Sequence, residues 1–151
     1  MRNNKFFLAA IVGTVLFFIL GWLVYGMLIM QYMGNHLSSA VRSSNFAVYK
    51  GPAEMGAISF MALFLGNLAT GFLYASILTW SNVRTAAGGA KMAAAVGFLT
   101  SMSIDFVMYG TSNIYTLHSI LADVVAWTII TAITGGVIGM ILGKGKTTVV
   151  A

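Results

Sequence analysis

At 151 residues, 59% hydrophobic and only 7% charged, the chain falls well outside the range of soluble domains, in which about 25% of residues are charged. The formal net charge of +5 does not indicate a nucleic-acid partner, because the basic residues are spread along the chain instead of gathering on one face. The lack of cysteine excludes disulfides, lipoprotein anchoring and thiolate metal ligands.

Four apolar segments, about residues 6–33, 55–80, 86–110 and 117–142, are each long enough to cross a hydrocarbon core of about 30 Å as a helix. The first would measure roughly 42 Å as one continuous helix at ~1.5 Å per residue, so it must tilt or protrude. Its basic start, MRNNK, and the later Ser38-Ser39-Ala40 imitate a signal peptide with a cleavage site. The apolar run nevertheless far exceeds an h-region of about 7–15 residues, and the segment is read as a span.

The loop 34–54 is rich in Ser and Asn, and a short interfacial turn is expected near 41–49. Gly51-Pro52-Ala53-Glu54 reads as the start of the second helix, with Pro52 in the first turn, where no amide bond is lost, and Glu54 at the positive dipole end. Ser59, Asn67, Thr70 and Tyr74 then share an arc of about 80° at ~100° per residue, one face turned from lipid. Ser81-Asn82 ends the helix, Thr85 is placed to cap the third and Thr116 the fourth.

Charge sets the orientation. Arg2 and Lys5 precede the first span, Arg84 and Lys91 lie between the second and third, and Lys144 and Lys146 follow the fourth, whereas the other side carries only Arg42 and Lys50. The positive-inside rule predicts that both termini are cytoplasmic.

GWLVYG at 21–26 and DFVMYG at 105–110 are nearly one phrase. A shift of 84 also aligns Ala9-Ala10-x-Val12-Gly13 with Ala93-Ala94-x-Val96-Gly97, and a shift of 64 aligns Thr70-Gly71 with Thr134-Gly135. The chain thus reads as two tandem hairpin repeats about an axis along the membrane normal. Small residues at four-residue spacing, including Gly135, Gly139 and Gly143, predict close helix packing in the half nearest the termini. The other half, with bulkier Trp22, Tyr25, Tyr109 and Trp127, is the expected place for a cavity.

Asp105 and Asp123 are costly inside a bilayer, by at least about 2.5–3.5 kcal/mol at a helix centre. If the third and fourth helices turn near Asn113 and Ile114, Asp105 stands level with Asp123 and Tyr109 level with His118. A polar pocket formed by Asp105, Asp123, Tyr109, His118 and Asn67 is therefore expected in the outer half. Should the two carboxyl faces meet, a shared proton is expected, with Arg42 or Lys50 as the alternative neutralising group. The bland reading is that the polar side chains only glue helices together.

No HExxH, nucleophile elbow, phosphate loop or dinucleotide fingerprint is present, and the three scattered residues Asp105, Asp123 and His118 make no specific metal signature. Neither an enzyme, a metal nor a cofactor is expected. Gly21-Trp22-x-x-Tyr25-Gly26, Asp105-x-x-x-Tyr109-Gly110 and Asp123 resemble small, uncharacterised four-helix bacterial membrane proteins classed as a domain of unknown function. The resemblance implies a bacterial inner-membrane location and a four-helix bundle, and brings no activity with it.

The sequence therefore predicts an all-α integral membrane protein with four transmembrane helices. Its expected function is to bind or pass a proton, cation or small polar solute, and the alternative is an accessory or scaffold subunit. The lipid bilayer is the expected partner, together with a second copy or another membrane protein, and nucleic acid is not.

Overall fold

The structure, a computed structural model, describes residues 2–39 and 56–144. The 41–49 turn, the Pro52 helix start, Arg42, Lys50 and Lys146 lie outside these residues. All named elements among those described are helical: α1 (Arg2–Leu23), a π-helical segment (Val24–Leu28), α2 (Met30–Asn35), α3 (Ala57–Trp80), α4 (Ala86–Thr111) and α5 (Leu117–Gly143). Four stretches are long and apolar enough to cross a membrane, namely Asn4–Leu28, Ala57–Trp80, Ala86–Thr111 and Leu117–Gly143. Among the described residues the chain is thus helical, with four helices long and apolar enough to cross a membrane.

The first span corrects one expectation, since it does not run unbroken over 6–33. The helix starts at Arg2, widens at Val24, and bends at Ile29, whose amide reaches the Val24 carbonyl at 2.9 Å across five residues. Gly26 sits in the middle of this widened turn, where the lack of a Cβ weakens the α-helical ladder. The long apolar run is thereby divided into a 22-residue helix, a π turn and a 6-residue helix.

The other helix ends follow the sequence reading. Asn82 adopts φ 53° after α3; its amide bonds to the Thr79 carbonyl at 3.1 Å, and that of Val83 to Leu78 at 2.9 Å, the paired closure of a Schellman turn. Thr85 caps α4 by accepting the Gly88 amide at 3.1 Å, and Thr116 caps α5 through Ser119. Losing such a cap costs about 1 kcal/mol. Thr85→Ala should therefore lower the unfolding midpoint in detergent, while Thr85→Ser holds the wild-type value; identical midpoints would show that the cap carries no weight.

α4 lies along α5, α1 lies along α3, and α1 also packs on α5, while α3 touches α4 only sparsely. Within a bilayer, association rests on van der Waals contact and hydrogen bonds, since lipid tails are as apolar as leucine. The contacts near the termini are accordingly made by small residues. Gly71 lies against Ala10 and Thr14, and Gly135 against Gly89 and Ala93. The offset of 84 would have put Ala94 and Phe98 beside Gly135, so the two hairpins differ in register by five residues from what the two sequence offsets jointly require.

At mid-height an aromatic layer joins three helices. The ring of Phe17 lies 5.1 Å from that of Tyr74 and stacks on Trp127 at 5.7 Å. At the far end, the first span is clipped to the α4–α5 turn by a Leu37–Tyr115 bridge and by Ser38 N–H to the Ile114 carbonyl at 3.0 Å. The Thr116 and Ser119 hydroxyls both donate to the His36 carbonyl, at 2.6 and 2.8 Å. Near the termini, the Lys5 ammonium donates to the carbonyl of Lys144, a cation placed at the negative end of α5.

Candidate functional site

The site begins with a four-residue period. Gly89, Ala93, Gly97 and Ser101 are the buried residues of α4, and the next position of that series is Asp105. Across the seam, Gly139 meets Gly89, Gly135 meets Ala93, and Thr131 meets Gly97; continued outward, this series reaches Trp127 and then Asp123. The carboxyl groups of Asp105 and Asp123 do meet at this rung, within hydrogen-bonding reach of one another. The seam of small residues thus sets both the register of the hairpin and the encounter of its two acids.

Both aspartates are half-buried, and one carboxyl oxygen of Asp105 is enclosed without a hydrogen-bond partner. Every cation among the described residues, Arg2, Lys5, Arg84, Lys91 and Lys144, belongs to the end of the bundle that holds the termini. Two carboxylates facing each other in an apolar bundle repel and are poorly solvated, an arrangement relieved when one proton lies between them.

One rung further in is a hydroxyl-rich layer. The Tyr74 hydroxyl is directed among Thr100, Thr131 and Trp127, although it forms no well-aligned bond there. Thr134 is fully buried with its hydroxyl unpaired. Such enclosed polar atoms mark places where ordered water or a small solute completes the bonding. Thr79, closer to the termini on α3, carries a further enclosed hydroxyl without a partner.

The remaining expected pocket residues are placed elsewhere. Asn67 returns its amide to the Leu63 carbonyl of its own helix at 2.7 Å, and Tyr109 is exposed. His118 faces His36, with ring centroids 5.8 Å apart. A 500°, or net 140°, rotation separates residues 118 and 123 at about 100° per residue, which explains why His118 and Asp123 look in different directions. The groove found in the outer half is lined by His118, Leu121 and Val125 and does not include either aspartate.

Helix glue is likewise not what most hydroxyls supply. Thr14, Thr70, Thr100, Ser101 and Thr128 all donate to carbonyls of their own helices, the back-bonding that satisfies Ser and Thr without a neighbour. The α3 stripe does keep to the less exposed side, with Ser59, Asn67 and Thr70 half-buried and Tyr74 buried. Sequence reasoning missed His36 and the Tyr74–Thr131 layer. The layer had a signal, because Ser101 continues the four-residue series toward Asp105; His36 had none, being a single residue at a helix end.

Compared with family models, with curated proteins and with solved structures, the chain matches none. The geometry of the site is therefore the ground for its functional reading.

Proposed function

We propose that the protein is an integral membrane protein whose Asp105–Asp123 pair, in the half of the bundle away from the termini, binds and releases a proton or a small cation. The observation that carries this reading is the meeting of two carboxyl groups in an apolar bundle, with no described cation at their end. The Tyr74, Thr100 and Thr131 hydroxyls extend the site inward for water or a small polar solute. The proposed role is non-enzymatic.

Infrared spectra of the protein in liposomes test the proposal. Wild type is expected to show a carboxylic-acid band at neutral pH that changes in both Asp105→Asn and Asp123→Asn. If the band is missing and neither substitution alters the spectrum, the accessory or scaffold reading takes its place. That second reading has an observation of its own: the outer half of α3 is exposed nearly all round, with Ile58, Phe60, Met61, Phe64 and Leu65 uncovered, a surface open to lipid or to a partner helix.

The proposed setting is a bacterial inner membrane, with both termini cytoplasmic and the two hairpins descending from one repeat unit. Lys and Arg placement supports the orientation. Cysteines introduced singly at Ser43 and Ala87, treated with an impermeant thiol reagent on intact cells, should be labelled at position 43 and protected at 87. The reverse pattern would invert the topology.

A further inference from the structure

We infer that the groove between the first span and α5 is a phospholipid site, which holds one acyl chain along α5 and the lipid phosphate at a mouth made by Tyr32, His36 and His118. The inference is independent of the carboxyl pair, which lies on another face of α5.

The groove encloses about 690 Å³ and is walled by the widened turn of the first span, at Val24 and Leu28, and by a helical stripe of α5 that includes Leu121, Ala122, Val125 and Ile129. Leu28 is 68% exposed and Val125 59%, so the trough opens sideways at the depth of the membrane core. What borders it there is lipid, and an apolar trough of this kind offers water no partners. From 118 to 129 the stripe rises roughly 16 Å at ~1.5 Å per residue, a length suited to much of one acyl chain.

The mouth is chemically different. Tyr32 stacks on His36 with ring centroids 4.1 Å apart, and His36 lies 5.8 Å from His118. Nδ1 of His36 donates to the Tyr32 carbonyl at 2.8 Å, which fixes that ring and leaves Nε2 of the neutral imidazole as an acceptor. Tyr32 and His118 also line the groove, and the His118 ring makes no hydrogen bond among the described residues. Three ring-borne polar groups therefore crowd one end of an apolar trough, where the first span leaves the membrane. A phosphodiester, rich in acceptor oxygens, matches the donors among them, the Tyr32 hydroxyl and a ring N–H of His118, and its glycerol backbone leads an acyl chain into the trough.

The selectivity must lie at the mouth, because exchanging one acyl surface for another of equal polarity yields little driving force. Loss of the two hydrogen bonds at the mouth should lower occupancy by roughly tenfold or more. Native mass spectrometry of the full chain in detergent, with dioleoyl phosphatidylglycerol as the probe, is expected to show one retained lipid on wild type. Tyr32→Phe/His118→Ala should retain about tenfold less, and Ala122→Trp, which fills the trough, should retain none. Val125→Trp, at an exposed position, repeats the block should the first variant fail to fold. Oleyl alcohol and inorganic phosphate, added separately, should each bind more weakly than the phospholipid. Equal retention by the blocked variants overturns the site. Equal binding of oleyl alcohol and phospholipid overturns the role of the mouth. A wild-type dimer that Ala122→Trp converts to monomer assigns the groove to a second copy instead.

Discussion

Gly135→Val is expected to be the most damaging single substitution in the bundle. Even the first added carbon would fall against the Cβ of Ala93 and 2.7 Å from the carbonyl oxygen of Gly89. Neither obstacle is the end of a flexible side chain, so neither can rotate away, and α4 and α5 must separate. Overpacking costs about 1–3 kcal/mol and occasionally more. Here the upper end applies, because separation also forfeits the dispersion contacts on which helix association in lipid depends. Gly66→Ala is the matching control: nothing lies within 4 Å of a Cβ at that position, so it should be neutral or gain up to about 1 kcal/mol from helix propensity. Unfolding midpoints in detergent decide the matter. Coincident midpoints for the two variants would mean that the seam does not hold the hairpin.

This seam also shows what the sequence makes legible. Four spans, the Thr85 and Thr116 caps and the Asn82 ending could be read directly, because each depends on residues within one turn of one another. The matching height of Asp105 and Asp123 was legible as well, since an antiparallel hairpin with a short turn leaves little freedom in register. What could not be read was the rotation of each helix about its own axis. Without that rotation, His118 joins the aspartates on paper, whereas the fold turns it toward His36. The π turn at Val24–Leu28 was equally hidden: glycines recur throughout these helices, and only packing decides that Gly26 sits in the widened one. The register of α1 against α3 is a third case. Small residues at every few positions of both helices offer several close packings, and the sequence does not say which of them Gly71 makes.

Asp105→Asn and Asp123→Asn should each yield a folded protein that has lost its exchangeable proton. The pair lies at the outer end of a seam whose inner rungs, Gly97 with Thr131 and Gly135 with Ala93, close without help from the acids. Replacing one carboxyl by an amide also gives the other acid a permanent N–H donor in place of a shared proton, so the rung stays bonded while the proton held between two acids is gone. An ionised Asp costs at least about 2.5–3.5 kcal/mol at a helix centre, and the substitution adds nothing to that cost, because a pair sharing one proton already holds a single ionised Asp, as does each variant. Neither variant should therefore unfold at a lower temperature than wild type. In weakly buffered liposome suspensions with a pH-indicating dye, a small acid pulse should reveal proton uptake by wild type that both variants lack. Uptake unchanged in both variants would remove the carboxyl pair from any role in proton exchange. Variants that fail to fold would instead show that the two acids hold α4 and α5 together, the outcome that the scaffold reading requires.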